Sequence, residues 1–262
     1  MRRAYLLIAA ALALLAAPLA FGANVLFPRP LHLVRRIDDP ISKTAATIDE
    51  YCVGNRVVTV RGSKVTIADY DAQQLTEIDH TAHAWSVTSF TDIAQARADL
   101  DARMGNSVEP RAAHLTALVH SASAYVIDGP HRRMEIAFDR KVVLSRAAAE
   151  VLIGAAYPNG KSQEQEEILA AAAGGGSNGN VSAMATGATA NTAYGLLIER
   201  TLTIETGGTT LVSHNTVIHV GEETVAAEAM LIEPGATRIE SRLTRLAREL
   251  RDIDTIPSAK PH

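Results

Sequence analysis

The chain has 262 residues, 47% of them apolar, which is enough for one large domain or two small ones with a buried core and excludes wholesale disorder. Acidic residues outnumber basic ones by 29 to 25, which argues against a nucleic-acid partner, since that needs a concentrated basic face. The lone cysteine, Cys52, allows no intrachain disulfide and lies too far along the chain to be the lipid-bearing first residue of a bacterial lipoprotein; it reads as a small buried apolar side chain on a strand.

The opening "MRRAYLLIAAALALLAAPLAFGAN" carries Arg2 and Arg3, then an apolar run from Ala4 to Ala17, then small residues around Ala20 to Gly22. That is the pattern of a cleavable export signal over residues 1–22, so the expected compartment is periplasmic or secreted. The alternative is an uncut inner-membrane anchor, because the uncharged stretch from Tyr5 to Phe27 is long enough to span a bilayer. Cleavage would leave 23 basic residues against 29 acidic ones, a net charge near −6.

From Leu31 to Phe90, short β-rich runs alternate with turn formers, the pattern of an antiparallel meander. The expected strands are Leu31–Ile37, Thr44–Val53, Arg56–Val60, Lys64–Tyr70, Gln74–Asp79 and Ala84–Ser89. Gly54-Asn55 and Gly62-Ser63 suit two-residue hairpins, and Asp71-Ala72 and Thr81-Ala82 suit looser ones. Val65 and Ile67 alternate with Thr66 and Ala68, and Trp85 and Val87 with Ser86 and Thr88, so one face is expected to be buried.

Thr91 is the expected cap of a helix carrying Ile93, Ala96, Leu100 and Met104. A second hairpin is expected from Ala124–Asp128 and Arg133–Asp139 around Gly129-Pro130. Ser145 and Ser162 resemble helix caps, the latter in a capping box with Gln165, within a helical insert of about residues 140–173. Residues 174–192, rich in Gly, Ser, Ala and Thr, read as a flexible loop. Leu196, Ile198, Leu202 and Ile204 then share one strand face with Arg200 as its only charge, and Gly207-Gly208 leads to a strand from Thr209 to Val220. Gly221-Glu222 is expected to turn the chain into one more strand, Thr224 to Ile232, ended by Pro234-Gly235. Ile239, Leu243, Leu246, Leu250 and Ile253 form a helical stripe opposed by Glu240, Arg242, Arg245, Arg248, Glu249 and Arg251; its mixed charges suit a helix lying on its own sheet.

The text "DEYCVGNRVVTVRGSKVTIADYDAQQLTEIDHTAHAWSVTSF" resembles bacterial secreted proteins of a domain-of-unknown-function family, themselves similar to the periplasmic lipoprotein carrier LolA. The resemblance rests on the run Gly54-Asn55-Arg56-Val57, aspartates such as Asp69 or Asp71, the strand Leu75 to Asp79, His80 and an aromatic at Trp85. It rests also on the tail "TVAAEAMLIEPGATRIE" with Pro234 and Gly235. It covers about Thr44–Phe90 and Tyr194–Glu240. Trp85 and Ala236 depart from the usual tyrosine and aromatic, and Gly105 to Ala193 has no counterpart. It implies an α+β domain over residues 31–253: a curled antiparallel sheet, an open half-barrel, with helices covering a concave apolar face that takes acyl chains.

His80 and His83 flank a short turn and could chelate zinc or copper, but two histidines fall short of a usual ligand set, so the pair reads as a bend. His214 and His219, five apart on one strand, are expected on opposite faces and so unable to share an ion. No nucleophile elbow, phosphate loop, zinc-protease helix or dinucleotide fingerprint occurs, so neither an enzyme nor a cofactor is expected. The expectation is an exported binding protein for a lipid or lipidated segment, with Val65, Ile67, Trp85, Val87, Ile198, Leu202 and Ile204 lining its groove. The alternatives are a membrane-anchored envelope protein serving protein contacts, and a metal-binding protein using His80 and His83.

Overall fold

The computed structural model describes residues 25–103, 114–117, 123–129, 131–154, 163–174, 192–242, 244–245 and 248–249. The export segment, the Ser162 cap, most of the 174–192 loop, and Leu243, Leu246, Leu250 and Ile253 of the last stripe lie outside the described residues. Among the described residues, twelve strands form one open sheet: β1 (Phe27–Asp39), β2 (Thr44–Gly54), β3 (Arg56–Arg61), β4 (Lys64–Asp69), β5 (Gln74–Asp79), β6 (Ala84–Ser89), β7 (His114–Ala117), β8 (Ala124–Gly129), β9 (Arg132–Leu144), β10 (Tyr194–Thr206), β11 (Thr209–Gly221) and β12 (Thr237–Arg238). Their order is β12-β6-β5-β4-β3-β2-β1-β11-β10-β9-β8-β7, antiparallel except where β12 joins β6. The fold is thus α+β with a large, mostly antiparallel, unclosed sheet.

The hairpins follow from local chemistry. Gly54 and Gly62 take positive φ (both 59°) in two-residue loops. Three longer loops share another device: Asp39, Asp69 and Asp79 end their strands and accept hydrogen bonds from backbone N–H groups two or three residues on. Each of these loops closes on a non-glycine residue at positive φ: Lys43 (54°), Gln73 (53°) and His83 (47°). His80-Thr-Ala-His83 is therefore the loop between the paired residues Asp79 and Ala84, a bend as expected.

Helix α1 (Phe90–Arg103) leaves β6, α2 (Arg146–Gly154) and α3 (Gln163–Ala172) pack on β8, β9 and β10, and further helical residues follow Ser241. The cap of α1 is Ser89, not Thr91: Ser89 Oγ accepts from the Asp92 N–H at 3.0 Å and donates to the Asp92 carboxylate at 2.7 Å. Ser145 caps α2 by accepting from the Ala148 N–H, as expected. The chain also folds a charge into the end of α3. Arg140 donates to the Ala171 carbonyl at 2.6 Å, to the Ala172 carbonyl and to the Tyr125 hydroxyl, which satisfies carbonyls that have no partner within the helix.

The expected strand Thr224–Ile232 does not form. β11 lies between β1 and β10, so both its edges are already paired and no neighbour can be added by another hairpin. The chain instead leaves the sheet after Gly221, makes a 3-10 turn at Ala227–Met230, and turns at Pro234-Gly235, where Gly235 has φ 87°. It then reaches the far edge, where the Thr237 and Ile239 N–H groups donate to the His83 and Trp85 carbonyls, both at 2.8 Å. Ile239 is 50% exposed on that edge, ahead of the Ser241 cap, and does not open a helical stripe.

Replacing Arg140 with Ala removes three hydrogen bonds from a charged donor, so the unfolding free energy should fall by about 2 kcal/mol. Urea denaturation checks this, with an unchanged m-value expected.

Candidate functional site

Cross-strand pairing sorts the side chains into two faces, because residues directly opposite in an antiparallel ladder share a side. One row runs Leu31, Cys52, Val57, Ala68 and Leu75. It belongs to a single apolar cluster that continues through Tyr125, Ile127, Met134, Ile136 and Leu196 and is covered by α1, α2 and α3. Both halves of the sheet thus share one helix-covered face. Cys52 lies in it, 1% exposed, and burial, followed by the charge of Glu50, pushes its thiol far above the ordinary range.

The opposite face carries a second, smaller cluster built on Val58, Val65 and Ile78, with Tyr51, Val60, Ile67 and Trp85 around it and Val225 and Met230 packed over it. This divides the expected lining. Val65, Ile67, Trp85 and Val87 fall on this second face, whereas Ile198 and Leu202 pack against the helix-covered cluster and Ile204 pairs with Arg132 at its rim. The seven do not meet in one groove. Apolar residues occupy both phases of β3 and β4, as in Val57-Val58 and Ile67-Ala68, so alternation could not select the face that meets the helices. Leu33, Cys52, Val57 and Leu75 hold the places in that face expected of Val65, Ile67, Trp85 and Val87.

Arginines also enter the helix-covered face. Arg35, on β1, is 7% exposed; its Nε donates to Glu50 at 2.5 Å, while its Nη2 is buried without a hydrogen-bond partner. Arg132 meets Glu164 of α3 at 2.6 Å, and its Nε is buried and unpartnered. Arg200 stands between its cross-strand neighbours Asn215 and Ile136, and the Asn215 Oδ1 is buried without a partner as well. Desolvation pulls the Arg200 guanidinium below its ordinary value; Glu164 opposes that, and Arg35 and Arg132 add to it. Arg35 and Arg132 thus both act on Arg200, and Glu50 and Glu164 are the carboxylates that the described contacts set against Arg35 and Arg132.

At the far edge of the sheet, Glu233 ties the crossing segment to the β5–β6 loop. His80 Nδ1 lies 3.1 Å from one carboxylate oxygen, His83 Nδ1 lies 2.6 Å from the other, and His80 Nε2 donates to the Ala229 carbonyl at 3.0 Å. The carboxylate therefore bridges the two histidines as a clasp. The Ala229 carbonyl first, and Glu233 second, raise the His80 pKa above its ordinary value; hydrogen bonds from His80 and then His83 lower that of Glu233.

The raised pKa of His80 gives stability that is complete below the ordinary histidine value of 6.5 and is lost as pH rises through the folded value. The lowered pKa of Glu233 gives stability that is complete above the ordinary value of 4.5 and is lost as pH falls through the folded value. The clasp is therefore tightest between those two pH values. Hydrogen exchange, corrected for intrinsic rate, should show the Thr237 and Ile239 amides better protected at pH 6 than at pH 8, and Glu233→Gln should reduce the difference while the Ala229 carbonyl keeps part of it.

Among the described residues no helix is long and apolar enough to cross a membrane. No family model and no curated protein matches the chain. Solved structures give remote likenesses. An uncharacterized conserved protein from Thermus thermophilus is 7% identical, with 82% of this chain and 92% of that one covered and a TM-score of 0.40. PNGF-II, in its C2 crystal form, is 6% identical with a TM-score of 0.35; 85% of this chain is covered, and it spans about a third of PNGF-II (33%). At these scores neither likeness carries an argument about function.

Proposed function

We propose that the protein is an exported, non-enzymatic, LolA-like carrier that holds an acyl chain with an anionic end between its sheet and its helices. Arg200 is the observation that carries this reading. A guanidinium in an apolar layer is costly unless a carboxylate or phosphate completes its hydrogen bonds, and Glu164, the carboxylate that acts on Arg200, already pairs with Arg132. An anionic head group at Arg200, near Arg35 and Arg132 with their unpartnered Nη2 and Nε, would supply a further counter-charge, and fork-shaped donors suit such a group. The continuous apolar face on both sides of Arg200 suits the tail, which gains about 0.8 kcal/mol for each methylene removed from water. An export signal fits a carrier whose cargo must cross an aqueous compartment.

Titration of the delipidated full-length chain with a fluorescent long-chain fatty acid tests this. Saturable one-to-one binding is expected, weakened roughly tenfold or more in Arg200→Gln, the loss of about one charge-assisted hydrogen bond. Native mass spectrometry of the purified protein should find a bound amphiphile. Absence of binding, or equal binding by Arg200→Gln, would overturn the reading.

A further inference from the structure

We infer that His32, His219 and Glu223 form a divalent transition-metal site, suited to zinc, on the sheet face opposite the helices. One donor atom from each residue lies within 4.8 Å of the other two. Glu223 Oε2 is 3.2 Å from His32 Nδ1, and Glu223 Oε1 is 3.6 Å from His219 Nε2. Bonds of about 2.0–2.1 Å in a tetrahedron set ligand atoms roughly 3.3 Å apart; each histidine already lies near that spacing from one oxygen of Glu223, and the exposed Glu223 and His219 side chains have room to draw the three donors together.

Three independent features of the chain prepare this arrangement. The β1–β11 register slips between Val34 and Arg35: Val34 pairs with His219 and Arg35 with Val217, so Ile218 is bulged out and 58% exposed. The slip turns His219 onto the face that holds His32. Gly221, opposite His32, leaves room for Glu223 to fold back, since a Cβ there would stand 1.9 Å from Glu223 Oε2 and 2.9 Å from His219 Nε2. Finally, His32 is locked in place. Its Nε2 lies 3.0 Å from Asp49 Oδ1 and donates to it, so that a metal ion replacing the hydrogen bond of Nδ1 to Glu223 would meet the Nδ1 lone pair, while Tyr51 stacks on the ring at 4.2 Å with the planes 4° apart. A carboxylate behind a histidine is the usual support of a metal-binding imidazole.

Two histidines and one carboxylate leave a fourth tetrahedral position for water or a ligand. His219 and Glu223 are each more than half exposed in their side chains, 51% and 58%, so an ion has a path from solvent. His80, His83 and Glu233, though linked, are not a group whose three donors converge in this way.

Isothermal titration of metal-free full-length protein with zinc tests the site. The expected result is one ion per chain at micromolar or tighter affinity, with no comparable uptake of magnesium. Glu223→Gln and His219→Gln should each weaken binding at least tenfold, Asp49→Asn roughly ten- to hundredfold, and Gly221→Ala should weaken it too, whereas His80→Ala with His83→Ala should leave it unchanged. His219 is exposed, so His219→Gln keeps the test valid if replacing the buried His32 impairs folding. Zinc should also shift the ring resonances of His32 and His219. Absence of binding, unchanged affinity in His219→Gln and Glu223→Gln, or loss of binding in the His80 and His83 variants would overturn the inference.

Discussion

The pairing of β1 with β11 is the constraint on which the rest of this fold depends. One ladder joins the meander β1–β6 to the strands β7–β11, and without it the sheet would be two separate pieces. Its register decides which residues of the two halves share a side. Leu31 and Leu33 on β1 and Val217 on β11 fall on the helix-covered side, where one apolar layer runs from Leu75 to Tyr125. The bulge at Ile218 exchanges the two faces of β11 beyond it, which is how His219 comes to share a face with His214, Thr216 and His32.

Both faces of the meander are covered, and that shapes the chemistry on each. Helices close one side, and the return segment from Glu222 to Glu233, fastened by Glu233 to His80 and His83, closes part of the other. The charged groups are correspondingly segregated. Arginines lie in the helix-covered layer, where low polarity makes an incompletely paired guanidinium expensive, and His32, His214 and His219 share the opposite face, where His32 and His219 face the carboxylate of Glu223.

The local parts of this architecture were legible in the sequence. Turn residues with defined backbone preferences bracket every hairpin of the meander, so Gln74–Asp79 and Ala84–Ser89 appear with the bounds expected of them. Arg200 stood out as the one charge on an apolar strand face, and it does point into the helix-covered layer. What escaped was whatever depends on the whole sheet. Thr224–Ile232 has strand-like composition, but the filled edges of β11 leave it nowhere to pair. Strict alternation puts His214 and His219 on opposite faces, and only a bulge, which leaves no plain mark in "VSHNTVIHVG", reverses that. The lining residues were split because β3 and β4 are apolar in both phases, which periodicity alone does not resolve. The nearest local signal of the histidine–carboxylate group was Gly221 between His219 and Glu223, a small residue where two functional side chains must close over the backbone.

Interstrand nuclear Overhauser contacts across β1 and β11 test the account most directly. The account predicts contacts of Val34 with His219 and of Arg35 with Val217, with Ile218 unpaired and His32 near His219. A continuous ladder in which Val34 pairs with Ile218 and Leu33 with His219 would turn His219 to the helix-covered face, away from His32, and would contradict it.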